Sequence, residues 1–148
     1  MSNPVLALYQ HEWLCLQNQS DSYEKYSLQI KLLNVSLTVL LWFGLQASLW
    51  TLLTIVILWG QDAIWKTFQA RINQRLLALE NAIQQALAEQ DNQLLLPMQF
   101  NQAWLDSRAG SQGLMAEYLS QGVKPTVAYP HLILVFCCIV LCILGVSG

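Results

Sequence analysis

The feature that most constrains this chain is a stretch of thirty consecutive residues, Leu32 to Gln61, without a charged side chain. One membrane-spanning helix needs only about 20 apolar residues. The stretch can therefore form either one tilted helix or two helices joined by a tight turn. Of the 148 residues, 11% are charged, whereas soluble domains carry about 25%. A chain this short cannot bury so much apolar surface in its own core, so we expect contact with lipid.

A helical hairpin explains the uncharged stretch better than one tilted helix does. The segment from Gly44 to Ser48 is its least hydrophobic part and contains the only glycine in its middle. Trp42 and Trp50 flank this segment, as aromatic residues do at a membrane surface. We therefore predict a transmembrane hairpin within residues 23–61, with spans at about 26–43 and 48–65.

The remaining chain divides into three further regions. Residues 1–20 have apolar side chains at spacings of three and four, which predicts an amphipathic helix that ends at Ser20. Residues 62–128 form a cytoplasmic helical region, and the apolar residues 131–147 form a third, C-terminal span. The predicted class is an all-α integral membrane protein: a hairpin with a long cytoplasmic helix extension, a small helical region and a third span.

The second hairpin helix is predicted to continue far beyond the membrane, from Ser48 to about Gln90. Apolar residues recur there at spacings of three and four, and such a stripe has to be covered by something. It offers an interface to a second copy or a cytoplasmic partner, or it packs inside a small bundle with the N-terminal helix. The interface candidates are Phe68, Ile72, Leu76, Leu79, Ile83, Leu87, Trp104 and Tyr118.

The distribution of charge predicts the orientation. All seven Lys and Arg residues fall on one side of the three-span arrangement, and basic residues favour the cytoplasmic side. We therefore expect a multi-pass protein of the bacterial inner membrane. Its N-terminus is then cytoplasmic and its C-terminus periplasmic or extracellular.

A polar seam runs along the predicted hairpin. Lys31, Asn34 and Thr38 share one face of the first helix, and Thr54 and Asp62 lie on the second. Lys31 and Asp62 are at similar distances from the turn, so we expect them to be close enough to pair. The seam has two interpretations, an ion or proton path between assembled copies, or hydrogen bonds that hold two helices together.

No catalytic or ligand-binding motif accompanies the seam. The sequence lacks a phosphate-binding loop, a nucleophile elbow and paired metal-ligand spacings, so we expect no enzyme, no cofactor and no metal. His11 and His131 are predicted to be isolated, and Cys137, Cys138 and Cys142 to be small apolar fillers. A net charge of −2 indicates no nucleic-acid partner.

The end of the second span carries a resemblance. The segment Trp59-Gly60-Gln61-Asp62-Ala63-Ile64-Trp65, followed by Arg71 and Arg75, resembles small bacterial two-span membrane effectors of the SLATT type. The resemblance covers about Tyr23 to Ile83, and this chain differs by its C-terminal span. It implies a membrane-perturbing or pore-forming effector of anti-phage or toxin type, restrained by a partner.

Two functions are consistent with these observations. The first is a non-enzymatic membrane protein that acts by helix–helix assembly, as a homo-oligomer or as an accessory subunit of a membrane complex. Its partners are then the lipid bilayer and either a second copy or another membrane or cytoplasmic protein. The alternative is a pore-forming effector whose passage is lined by the polar seam.

Overall fold

The computed structural model describes residues 4–45, 49–88, 95–106 and 110–144, and all regular secondary structure in these ranges is α-helical. In chain order the helices are α1 (Pro4–Leu45), α2 (Leu49–Leu87), α3 (Phe100–Asp106), α4 (Gly110–Gly122) and α5 (Pro125–Ile143). The predicted all-α class is therefore confirmed. The predicted turn around Gln46 and the end of the predicted third span, residues 145–147, lie outside the described residues.

α1 and α2 form a long antiparallel pair. Glu12 of α1 contacts Arg75 of α2, and Asn34 contacts Ile55, so the α2 number falls as the α1 number rises. With 42 and 39 residues, each helix is about 60 Å long. The bounds of α2 agree with the predicted continuous helix from Ser48 to about Gln90.

The predicted break at residues 20–22 is wrong, because α1 continues through it. Ser20 Oγ donates to Asn73 Oδ1 on α2 at 2.8 Å, and Ser22 Oγ donates to the Asn18 carbonyl one turn back at 2.8 Å. A serine hydroxyl begins a new helix when its oxygen accepts hydrogen bonds from free N–H groups of the first turn, whereas here both hydroxyls donate, one to another helix and one to the preceding turn of α1. The separate N-terminal helix predicted for residues 1–20 is therefore, over its described residues 4–20, the first part of α1.

The lower half of the hairpin, formed by the N-terminal part of α1 and the C-terminal part of α2, has an ordinary apolar core. Its buried members are Tyr9, Leu16, Ile72, Leu76, Leu79 and Ala82. Three predicted interface residues, Ile72, Leu76 and Leu79, are thus covered by α1 and are not available to a partner, because Tyr9 and Leu16 occupy the matching face. Ile83 packs at the edge of this core, Phe68 is half-buried, and Leu87 is exposed.

Arg71 connects α2 with the two short helices. Its Nη2 lies 2.5 Å from Glu117 Oε2 on α4, and its guanidinium carbon lies 5.5 Å from the ring centroid of Trp104 on α3. A guanidinium at that distance from an indole face is attracted by the ring. Trp104 and Tyr118, the remaining predicted interface residues, are both half-buried by packing within the chain.

α5 contains an elbow around its two prolines. Lys124 has an extended backbone (φ −61°, ψ 138°), and Pro125 lies in the first turn of the helix, where its missing N–H is tolerated. Tyr129 is also extended (φ −80°, ψ 133°), since Pro130 disfavours a helical conformation of the preceding residue. The elbow is thus a kink inside the helix, which begins at Pro125 rather than at His131.

Two helices of the described chain are long and apolar enough to cross a membrane, by length and composition alone. They are α1, over Pro4–Gly44, and α5, over Pro125–Ile143, with mean hydropathies of 1.3 and 2.4 in their most apolar windows. The predicted span at residues 48–65 is not among them. The apolar segment of α2 ends near Trp59, and the next seven residues include Gln61, Asp62 and Lys66.

A buried ion pair binds the segment before α3 to the lower half of the hairpin. Arg75 donates to both carboxylate oxygens of Glu12, at 2.9 and 3.3 Å, and the two side chains are only 7% and 5% exposed. The Met98 N–H donates to Glu12 Oε2 at 2.6 Å, and Arg75 Nη2 donates to the Leu96 carbonyl at 2.8 Å. Residues 96–98 therefore complete the hydrogen bonding of two buried charges.

We predict that Arg75→Met lowers the melting temperature of the detergent-solubilised protein by about 10 °C. Breaking a buried pair leaves the Glu12 carboxylate uncompensated, which costs about 3–5 kcal/mol. The double variant with Glu12→Gln is the control, because it leaves no unpaired charge and should lose less than Arg75→Met alone. Equal losses in the two variants, measured by thermal unfolding, would contradict this account.

Candidate functional site

The upper half of the hairpin is formed by the C-terminal part of α1 and the N-terminal part of α2. Together with α5 it encloses a network of polar side chains. On α1, Ser27, Asn34 and Thr38 recur at spacings of seven and four, which places them on one helical face. All three are at most 1% exposed. The network lies between three helices, beside a small apolar cluster.

Asp62 of α2 is the centre of the network and is fully buried. Ser27 Oγ donates to its Oδ1 at 2.5 Å. Its Oδ2 lies 3.5 Å from Lys31 Nζ and 3.4 Å from His131 Nε2. Three donors from two other helices thus surround one carboxylate, which compensates part of the cost of burying it.

His131 of α5 links Asp62 to α1. Its Nδ1 lies 2.6 Å from Asn34 Nδ2, which is a donor, and its Nε2 lies 3.4 Å from an Asp62 oxygen, which is an acceptor. A neutral ring with its proton on Nε2 satisfies both contacts. Thr38 Oγ1 extends the chain of hydrogen bonds by donating to Asn34 Oδ1 at 3.4 Å.

Lys31 lies at the edge of the network. The Nζ atom donates to the Thr126 carbonyl at the start of α5 at 2.7 Å, in addition to its ion pair with Asp62. The side chain is 18% exposed, so it reaches the surface while its partners stay buried. The pairing of Lys31 with Asp62 agrees with the depths predicted from their distances to the turn.

Thr54 is the predicted seam residue that the structure places elsewhere. Its hydroxyl donates to the Trp50 carbonyl one turn back at 2.9 Å, and its side chain is partly exposed. The angular positions explain this, because at 100° per residue Thr54 lies about 80° away from Asp62. Thr51 and Ile55 lie within about 20° of Asp62 and are buried.

The network contains a serine, a histidine and an aspartate, but not in a catalytic order. In a hydrolase triad the imidazole lies between the serine and the carboxylate and accepts the serine proton. Here the carboxylate of Asp62 lies between Ser27 and His131. This geometry gives Ser27 no imidazole base, and the side chain is 1% exposed.

Trp59 and Lys66 mark the periphery of the site on α2. The indole stacks on the His131 ring with centroids 6.2 Å apart, and its N–H donates to the Gly122 carbonyl at 3.0 Å. Lys66 lies one turn beyond Asp62 and donates to Gln69 Oε1 at 2.7 Å. Burial lowers the pKa of Lys66, and the nearby charge of Lys31 acts in the same direction.

The cysteines of α5 do not take part in this network. Cys138 is buried in a small apolar cluster with Ile55 and Leu134, which agrees with its predicted role as a filler. Cys137 is half-buried and Cys142 exposed. The described residues include no group of three or more His, Cys, Asp or Glu side chains that could hold a metal ion.

His131 is the site residue that the sequence analysis missed. It was expected to be isolated, because no charged residue lies near it along the chain. A usable signal was present, since a polar side chain at the start of an apolar run needs a partner when the run enters lipid. The partners lie 69 and 97 residues away in the sequence, and spacing arguments within one helix cannot find them.

Comparison of the chain with protein-family models, with curated proteins and with solved structures finds no match. The resemblance to SLATT-type effectors therefore stays a prediction from the residues quoted for it.

We predict that Asp62→Leu destabilises the protein far more than Thr54→Val does. The first change leaves Lys31, Ser27 and His131 without their shared acceptor, at a cost of about 3–5 kcal/mol. The second removes one local hydroxyl contact outside the network, and we expect a change below about 1 kcal/mol. Thermal unfolding of the two variants in the same detergent measures the difference, and similar melting temperatures would contradict a central role for Asp62.

Proposed function

We propose that this chain is a three-span membrane protein that acts without catalysis, through helix packing, as a homo-oligomer or as an accessory subunit of a membrane complex. One observation carries the proposal: the upper half buries a polar network beside a small apolar cluster, and its outer surface is apolar. Its exposed large side chains include Leu32, Leu40, Phe43, Ile57, Leu132 and Phe136. A surface of this kind is stable against lipid and costly in water.

The aromatic residues of the hairpin support the proposed position of α2 across the bilayer. Tyr23 and Tyr26 pack against Trp65, with ring centroids 5.0 and 5.5 Å apart, and Trp50 is 76% exposed near the other end of the apolar surface. Trp50 and Trp65 are about 22 Å apart along α2. This separation is shorter than a hydrocarbon core of about 30 Å, so the two residues support the direction of α2, the proposed middle span, with Trp50 toward one face of the bilayer and Trp65 toward the other, and not the full thickness of the core.

The burial of the polar seam favours a packed membrane subunit rather than a pore-forming protein. Asn34, Thr38 and Asp62 are fully buried within one chain and hydrogen-bonded there. They offer no polar surface that neighbouring copies could share around a passage. Buried polar contacts of this kind hold membrane helices together. The pore-forming effector remains the second candidate, and it would require the three helices to separate.

Labelling of single cysteines tests the membrane position and the orientation. In one variant Cys15, exposed on the N-terminal part of α1, is the only cysteine. In the other, all four native cysteines are replaced and Leu49, exposed at the start of α2, is changed to Cys. We expect a membrane-impermeant maleimide to label Cys15 only in inverted vesicles, and the Leu49→Cys variant only in intact spheroplasts.

Both variants should stay in the membrane fraction after a carbonate wash. Labelling of Cys15 and of the Leu49→Cys variant from the same side would contradict the hairpin. Loss of the protein into the soluble fraction would contradict membrane integration itself.

The mass of the complex tests the assembly. The chain has a mass of 16.8 kDa. In mild detergent we expect light scattering to give either a multiple of this value or a defined complex with a second membrane chain in fixed ratio. A protein that is strictly monomeric and copurifies with no other chain would contradict the proposal.

A further inference from the structure

An apolar groove of about 370 Å³ lies between α2 and α4. Gly60 and Ile64 form its α2 wall, and the opposite wall is formed by Met115 and Leu119 of α4 and by Val123, the residue after α4. None of its lining residues carries a charge. The volume is at the small end of the range of protein ligand pockets, which is about 300–1,000 Å³.

Glycines shape the groove. At Gly122, α4 is in contact with α2, since an added Cβ atom there would lie at an ordinary van der Waals distance, 3.5 Å, from the Cβ of Ala63. The hydrogen bond from Trp59 to the Gly122 carbonyl fixes this contact. At Gly60, in contrast, no atom lies within 4 Å of the position of a Cβ, so the groove is open there.

The groove continues the apolar surface of the upper half. α4 runs antiparallel to α2, since Glu117 pairs with Arg71 while Gly122 touches Ala63. The apolar wall that α4 contributes therefore extends along α2 from the Arg71–Glu117 ion pair toward Val56, whose side chain is 48% exposed. Val56 itself lines the groove, so the groove opens directly onto this exposed apolar surface.

The outer wall of the groove has no cover within the described chain. Met115 and Leu119 are four residues apart and share one face of α4, and Val123, just after the helix, stays on that side because its N–H donates to the Leu119 carbonyl at 3.2 Å; the three side chains are 62–73% exposed. Apolar side chains in this arrangement need an apolar neighbour.

We infer that the groove binds one acyl chain of a membrane lipid. The inference rests on the proposed position of the chain in the bilayer. A helix of a second copy is about 10–12 Å wide with its side chains, which is large for a groove of this volume. Because the walls are uncharged and the nearest ion pair is neutral as a whole, binding should depend on the chain and not on the charge of the headgroup.

Native mass spectrometry of the purified full chain tests the groove. The probes are dioleoylphosphatidylcholine and dioleoylphosphatidylglycerol, added to delipidated protein in mild detergent. Gly60→Leu fills the open space, and Gly44→Leu is its matched control, because Gly44 is also helical with nothing within 4 Å of an added Cβ. Leu119→Gln is a second variant, which changes an exposed wall residue without touching the packing of α2.

We expect the wild type and Gly44→Leu to retain one lipid per chain, with either headgroup. Gly60→Leu should reduce the retained fraction about tenfold, since a leucine excludes at least two methylene groups of the lipid, and Leu119→Gln should also reduce it. Equal retention in Gly60→Leu and the wild type overturns the inference. Dissociation of an oligomer in Gly60→Leu with unchanged lipid retention also overturns the inference.

The fractionation of membranes separates the two proposals. A chain that stays in carbonate-washed membranes but retains no lipid contradicts the groove alone. A chain that is not in the membrane fraction contradicts the proposed function, on which the groove depends.

Discussion

Asp62 carries a carboxylate in a part of the protein whose outer surface is apolar, and the arrangement of the nearby helices follows from its need for partners. Burying an ion costs several kcal/mol unless charges and hydrogen bonds compensate for it. Ser27 and Lys31 on α1 and His131 on α5 provide this compensation. A shift of α1 by one residue would rotate its donors by 100° away from the carboxylate. The ion therefore fixes the register as well as the contacts.

The two halves of the hairpin differ in what they bury, although α1 and α2 pass through both without interruption. In the lower half an apolar core around Leu79 lies beside a buried ion pair that includes Arg75. In the upper half the carboxylate of Asp62 is buried beside a small apolar cluster, while Leu40 and Ile57 are exposed. An apolar outer surface around buried polar side chains is the property on which the proposed position in a membrane rests.

Local composition was sufficient for the helical class, the length of α2 and the pairing of Lys31 with Asp62. These properties depend on periodicity and on the count of residues from a turn. The continuity of α1 through Ser20 was not predictable, because the hydroxyl is satisfied by Asn73 on another helix. His131 was missed for a related reason, since its role depends on two partners that only the packing of three helices brings close. Composition describes what a segment can form, and tertiary contacts decide between the possibilities.

The contact between His131 and Asp62 also has a consequence for biogenesis. The two residues are 69 positions apart, so the ribosome completes the hairpin well before it makes α5. During that interval Asp62 has its partners on α1, while Asn34 still lacks the imidazole acceptor. The contacts of Asp62 with Ser27 and Lys31 need only α1 and α2, whereas those of His131 need α5 as well. Synthesis in chain order therefore leaves the imidazole contacts to be made after the two long helices exist, and the hydrogen bond of Asn34 to His131 depends on the arrival of α5.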